Sequence, residues 1–502
     1  MDARPDTIAR LRADLTAAHY TVSHLEKLWG ADAAAALARG HRVPARRALD
    51  AQAGFDPAAV LARAFVLGLP TDVEDLGRAL PMLGLVGATE LGLVDVTGAA
   101  LIDLRPYAFT DSWGGAQWWI ASDLGELAVG RPLPEDHVLG VGGASLTLSG
   151  LQLQRSSRLA LDLGTGCGIQ AMHASRHSGR VIATDISPRA LELAAVNAEL
   201  NGIRSIEFRL GDLYEPVRGE TFDFLVSNPP FVITPRRHGV PTYEYRDGGR
   251  VGDAIVAEVI SGAAEHLAPG GVAQLLGNWE YRTSQGGLER VGEWLDDAGL
   301  DGWVVEREVQ DPALYAQTWI RDGGTRAGAE SDLLEDAWLD DFAARGVVSV
   351  GFGYVTLRRP VEHRSRPIRR LRRLEHLGGP VAAGLGEHVD ATLKAHDWQA
   401  ALDDDGIARA KLQVAPDVTE ERHYWPGDEH PAVMNLRQGG GFARSYPLGT
   451  ALAAVVGVCD GELSVGAICA AVSELLDVDY DELFAEVLPS IREFVTVGIL
   501  RP

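Results

Sequence analysis

The chain has 502 residues, 46% of them hydrophobic and 23% charged, with a formal net charge of −24. That length exceeds what one hydrophobic core fills, so about two to four domains are expected, and the acidic excess opposes diffuse attraction to a polyanion while leaving room for a local basic patch. No run of about 18 apolar residues and no apolar signal core near the start are found, so no membrane span is expected and the cytoplasm is the expected compartment.

Three cysteines, Cys167, Cys459 and Cys469, make no disulfide framework, and no Cys/His spacing predicts a metal site. Residues 1–50 read as helices, with Ile8, Leu11 and Leu15 at helical spacing and Ser23 and Glu26 as a capping box for a second helix. A helix over 57–68 with Pro57 in its first turn follows, then another from Thr71. Two β-like runs around Thr97-Gly98, within 91–107, complete the order helix, helix, hairpin of a winged-helix-like module, so a first domain is placed at 1–107. Asp72, Glu74 and Asp75 stand where a DNA-reading helix would carry Arg and Lys, which favours a packing or protein-contact role. A β-rich leader is expected over 108–155, with a strand at Trp118-Trp119-Ile120 and a loop at Gly140, Gly142 and Gly143 that includes Ser145 and Thr147.

The most informative stretch is 159–231. An apolar run, LALDL, enters a loop in which Gly164, Gly166 and Gly168 alternate, and a helical segment follows. This is the opening of a nucleotide-binding βαβ unit, with Asp162-x-Gly-x-Gly-x-Gly in place of the dinucleotide spacing. A second apolar run, VIATDIS (181–187), ends on Asp185, whose carboxylate suits two ribose hydroxyls. Ser187 and Pro188 open a helix that closes on Gly202, and strands at 205–210 and 222–227 end on Gly211-Asp212 and on Asn228-Pro229-Pro230-Phe231. A helix at 253–267 and strands at 271–277, 303–309 and 347–357 continue the alternation of a doubly wound α/β domain, placed at 108–360.

Together these residues resemble a class I S-adenosylmethionine-dependent methyltransferase. The resemblance implies a seven-stranded, Rossmann-like α/β core and a cofactor site at Asp162, Gly164, Thr165, Gly166, Gly168, Asp185, Ile186, Asp212, Leu213 and Asn228, with no metal. The Asn-Pro-Pro-Phe turn points to the acceptor. A planar NH2 group has a delocalised lone pair; the Asn228 side-chain oxygen and the Pro229 carbonyl can each accept one N–H and expose it, Pro230 stiffens the turn, and Phe231 can pack on the planar group. DISPRALELAAVNAELNG (185–202), GDLYEP (211–216) and RDGGRVGDAIVAEVI (246–260) resemble the release-factor glutamine N5-methyltransferases, in which the Asn of this tetrapeptide grips the glutamine amide. That family usually carries Tyr where this chain has Phe231, and Phe is common in enzymes that methylate base amines. The expectation is therefore transfer to a protein glutamine, with a translation factor as candidate substrate, and an RNA base as the alternative.

Beyond the core, Arg358, Arg359, Arg364, Arg366, Arg369, Arg370, Arg372 and Arg373 crowd one stretch, read as a solvated linker or a docking surface. A third domain is placed at 361–502, with a loop-rich part at 414–448 and a helical, winged-helix-like end.

Overall fold

The computed structural model describes residues 5–129, 133–237, 239–241, 244–325, 327–361 and 370–502. The chain forms two compact units, one comprising Met1–Ser149, Ser156–Pro360 and Arg373–His376, the other Gly150–Arg155, Val361–Arg372 and Leu377–Pro502.

The first unit begins with short helices: α1 (Pro5–Ala17), α2 (Val22–Trp29), α3 (Ala31–Ala38), α4 (Val43–Asp50), α5 (Pro57–Leu61), α6 (Val73–Ala79) and α7 (Gly84–Glu90). Ile8, Leu11 and Leu15 do form the buried stripe of α1. The cap of α2 is Thr21, not Ser23: the Thr21 hydroxyl accepts the His24 N–H at 3.2 Å, and Ser23 lies inside the helix. Helix α5 is capped by Asp56 and passes into a π-helical turn over Ala62–Val66.

The β pairing expected within 91–107 is a single bridge, Val94 to Ala100. The extended hairpin lies further on, β1 (Ile102–Asp111) with β2 (Gly114–Asp123), so residue 107 falls inside a strand; Trp118, Trp119 and Ile120 lie on β2 as expected. After α8 (Glu126–Val129), the expected glycine loop ends at Gly143, where α9 (Gly143–Leu151) starts and takes in Ser145 and Thr147.

The central sheet follows, with β3 (Ser157–Leu163), α10 (Ile169–Ser175), β4 (Ser178–Asp185), α11 (Pro188–Leu200), β5 (Ile206–Leu210), β6 (Phe222–Ser227), α12 (Glu244–Asp247), α13 (Ala254–His266), β7 (Leu267–Arg282), α14 (Gly287–Ala298), β8 (Asp301–Gln310), α15 (Pro312–Asp322), α16 (Ala329–Arg345), β9 (Val347–Arg358) and β10 (Arg372–His376). The strand order is β10-β8-β9-β7-β6-β3-β4-β5. Strands β3 to β7 pair in parallel, whereas β9 runs antiparallel to both β7 and β8. Eight strands stand where seven were expected, because β10 pairs with the outer edge of β8. Within the run LALDL, Ala160 to Leu163 are buried on both faces of the sheet, as a parallel strand between helices requires. Between β3 and β6 the strand order reverses, and in such sheets ligands bind beyond the strand ends at that point.

One hydrophobic cluster joins the N-terminal helices and the hairpin to α10 and α11, from Ile8 and Leu11 through Phe65 and Trp118 to Met172 and Leu200. Polar links follow the same path. Arg12 Nε donates to the Leu200 carbonyl at 2.6 Å, and the fully buried Asn197 accepts the Ala121 N–H at 2.7 Å while donating to the Cys167 carbonyl at 2.8 Å. The N-terminal region thus braces the back of the glycine loop.

The second unit contains α17 (Leu385–Ala400), α18 (Asp404–Arg409), β11 (Lys411–Val414), β12 (Val418–His423), β13 (Val433–Gln438), β14 (Ser445–Pro447), α19 (Thr450–Gly457), β15 (Asp460–Ser464), α20 (Val465–Leu476), α21 (Tyr480–Thr496) and β16 (Leu500–Arg501). The stretch 414–448, expected as loops, carries the antiparallel sheet β12-β13-β14; its strands are mostly polar and half exposed, which hides their pattern. The helical end packs around Ile468, Val487, Ile491 and Phe494, beside the small sheet β15-β11-β16.

Of the arginine-rich stretch, Arg364, Arg366 and Arg369 lie outside the described residues. Arg358 pairs with Asp301 at 2.7 Å, Arg359 donates to the Leu267 carbonyl at 2.8 Å, and Arg373 pairs with Glu375 at 2.8 Å, so these three serve the fold. Among the described residues no helix is long and apolar enough to cross a membrane, and no group of His, Cys, Asp or Glu is placed to hold a metal.

Candidate active site

Beyond the C-terminal ends of β3, β4, β5 and β6 lies a cleft of about 450 Å³, within the range of small-ligand sites, about 300–1,000 Å³. Its first wall is the turn after β3. Gly164, Gly166 and Gly168 all have left-handed backbones, with φ of +74°, +54° and +88°. A side chain at Gly168 would come within 2.9 Å of Ala194 Cβ, so this glycine also lets α10 pack on α11.

Asp162 holds this turn from behind and is not part of the lining. One of its oxygens accepts the Thr165 hydroxyl at 2.5 Å and the Ala171 N–H at 2.8 Å, while the other is buried without a partner among the described residues. Burial pushes its carboxyl up to about 7, against the pull of those two hydrogen bonds. Cys167 is buried, and burial pushes its thiol up to about 11, so it packs and stays protonated.

Asp185, at the end of β4, accepts the Gly166 N–H and the Ser187 N–H, each at 2.9 Å. These two bonds lower the carboxyl against the larger upward push of burial. The next residue, Ile186, is an exposed apolar side chain on the lining. At the end of β5, Gly211 sits where a Cβ would meet Pro216 at 2.4 Å, and Leu213 takes φ +42°, a conformation uncommon for a residue with a side chain. Asp212 and Leu213 both line the cleft.

At the end of β6, Asn228, Pro229 and Pro230 line the cleft. The Asn228 side-chain oxygen is buried and has no hydrogen-bond partner among the described residues. Phe231 is turned away from the cleft. It is buried among Phe352 and Trp319, with ring centroids 5.6 and 6.4 Å away, and is not part of the lining, so it braces the turn from behind instead of facing a bound planar group.

A second loop, whose residues sequence alone does not single out, completes the wall. Val232 N–H donates to the Arg246 carbonyl at 2.8 Å. Gly248 has φ +54° and lies so close to Pro230 that a Cβ there would approach its ring at 2.7 Å. Arg236 ties the loop together, donating to the Asp247 carboxylate at 2.7 Å, to the Asp247 carbonyl at 3.0 Å and to the Arg250 carbonyl at 3.1 Å. The signal for this element was the Gly248-Gly249 pair, a turn with two left-handed residues. From the other side the leader contributes Glu135, His137, Val138 and Ser145; Thr147 is absent from the lining.

Residues 142–291 match a family profile described as the methyltransferase small domain. The cleft lies largely within this stretch, and the residues present fit the S-adenosylmethionine expected from the sequence: a backbone opened by glycines and carboxylates at successive strand ends. Residues 17–105 match a domain of unknown function, DUF7059. A release factor glutamine methyltransferase of Xylella fastidiosa is 38% identical over 165 residues, covering 31% of this chain and 56% of that protein. A ribosomal protein uL3 glutamine methyltransferase of Bradyrhizobium diazoefficiens is 33% identical over 163 residues, covering 30% and 51%. A putative protein N5-glutamine methyltransferase of Methanocaldococcus jannaschii is 34% identical over 119 residues, covering 23% and 59%. The chain thus spans about half the length of the curated relatives it matches.

Proposed function

We propose that the protein is an S-adenosylmethionine-dependent N-methyltransferase whose acceptor is the side-chain amide of a protein glutamine, in a substrate drawn from the translation apparatus. The observation that carries this reading is the oxygen of Asn228, a residue of the cleft lining, buried and without a partner among the described residues. Leaving a buried acceptor unsatisfied costs about 1–3 kcal/mol, a cost that a bound N–H donor removes. The names of the relatives, glutamine methyltransferases of release factors and of a ribosomal protein, support an amide as that donor.

When bound, the cofactor supplies an electrophilic methyl group on a sulfonium that departs as a neutral thioether. Gly164, Thr165 and Gly166 allow the backbone close to its methionine end, Asp185 accepts from the ribose hydroxyls with Ile186 beside them, and Asp212 with Leu213 holds the adenine. Asn228 and the Pro229 carbonyl accept the two amide hydrogens, turning the nitrogen lone pair toward the methyl group. Pro229 and Pro230 fix the turn before substrate arrives, so little freedom remains to be lost on binding. The nitrogen sheds its proton to water after transfer, so no strong base is required.

The test is transfer of labelled methyl from S-adenosylmethionine into a fractionated lysate, followed by protease or ribonuclease. Protease-sensitive, ribonuclease-resistant label is expected. Ribonuclease-sensitive label would replace the protein acceptor with an RNA base.

A further inference from the structure

The loop that walls the amide slot reaches the adenine end of the cleft through one side chain. Arg250 Nη2 donates to Asp212 Oδ2 at 3.0 Å, and its Nε faces both carboxylate oxygens of Glu258, on α13, at 3.1 and 3.0 Å. The backbone of Arg250 is fixed as well, its carbonyl accepting from Arg236, which also grips Asp247. A planar guanidinium with carboxylates on two of its nitrogens is oriented by both of them. Only one oxygen of Asp212 is engaged: among the described residues Oδ1 has no donor, and Asp212 and Arg250 both line the cleft.

We propose that Arg250 is a positioning residue that sets selection for the adenine amino group. By occupying Oδ2 it fixes the rotation of the Asp212 carboxylate and presents Oδ1 to the exocyclic N–H. This inference rests on the assignment of Asp212 to the adenine. Without Arg250 the carboxylate, on a side chain 45% exposed, rotates and hydrates, and its preference for a donor over an acceptor at that position is weakened. Glu258 and Arg236 hold Arg250 in place and do not face the base.

The test compares S-adenosylhomocysteine with its deaminated inosine analogue, in which the amino group is replaced by a carbonyl oxygen. The two carry the same charge and differ only along one edge of the base, at the 6-substituent and in the hydrogen that N1 gains, so a general electrostatic or structural change weakens both alike and a change in recognition of that edge alters their ratio. Isothermal titration is run on wild-type full-length protein, Arg250→Met, Asp212→Asn and the double variant, with melting curves to confirm folding. A preference for the adenosine form of about tenfold or more is expected in the wild type, as for a hydrogen bond to a charged group. Asp212→Asn should bring the ratio close to one, Arg250→Met should lower it at least about threefold, and the double variant should match Asp212→Asn, since Arg250 acts only through that carboxylate. If Asp212→Asn abolishes the preference and Arg250→Met keeps it, or weakens both ligands equally, the role of Arg250 is overturned. If Asp212→Asn keeps the preference, the assignment of Asp212 itself has failed.

Discussion

Replacing Asn228 with Ala separates the acceptor's role in turnover from any role in the fold. Its side-chain oxygen is buried with no partner among the described residues, an unsatisfied group costing about 1–3 kcal/mol until a donor arrives. Asn228→Ala removes that burden from the free enzyme, and its melting temperature should stay level or rise slightly. Turnover should suffer. The amide loses one of two acceptors, and misplacement of an attacking group by about 1 Å costs about a hundredfold. The kcat at saturating cofactor should fall by about two orders of magnitude, equivalent to about 2.7 kcal/mol. S-adenosylhomocysteine affinity should remain within about threefold, because the glycine turn, Asp185 and Asp212 are untouched. Single-turnover methyl transfer, titration calorimetry and a melting curve read the three quantities. A fall of several degrees in melting temperature, or a loss of cofactor affinity as large as the loss of turnover, would refute the reasoning.

Four further outcomes are expected. Asp185→Ala should weaken S-adenosylhomocysteine binding by about ten- to a hundredfold, the scale of a hydrogen bond to a charged group, and unchanged calorimetric affinity would remove Asp185 from the cofactor site. Burial raises the Asp162 carboxyl from 3.8 to about 7, so the native state holds a proton there that the unfolded chain has released. Its contribution to stability is full below about pH 4 and lost as pH rises through about 7. The stability of the wild type relative to Asp162→Asn should therefore fall between those pH values, and parallel melting temperatures would contradict it. Gly168→Ala combines a left-handed backbone at φ +88° with a Cβ 2.9 Å from Ala194; it should cost about 2–5 kcal/mol in urea unfolding, and a loss under about 1 kcal/mol would show that the loop yields easily. Phe231→Tyr puts a hydroxyl into the cluster with Phe352 and Trp319, with an expected stability loss of about 1–3 kcal/mol and unchanged cofactor affinity; lost cofactor binding in the folded variant would return Phe231 to the cleft.

The core fold was legible because each strand end carries a chemically distinct turn. The buried run 159–163 with its glycines, the Ser187-Pro188 helix start and the Asn-Pro-Pro segment are local signals, and the expected strands appear with shifts at their ends. What stayed hidden is non-local. Whether Phe231 faces the cleft or the interior depends on Phe352 and Trp319, far away in the chain, and β10 is recruited to the sheet across a gap from β9. The 91–107 segment shows two β-like runs, yet the second pairs forward with β2, because the longer register from Ile102 to Asp111 supplies more ladder than the bridge at Val94. Arg236 and Arg250 read as ordinary loop charges until folding brings them to Asp247 and Asp212.

The side-chain amide assignment is tested most directly by the chemistry of the label. Protein that has accepted labelled methyl is hydrolysed in strong acid, which cleaves a side-chain amide but leaves a methylated amine, guanidine or imidazole on its amino acid. Release of the label as free methylamine, leaving unlabelled glutamate, is the predicted result. Label retained on an amino acid would contradict the amide acceptor, and with it the role given to Asn228.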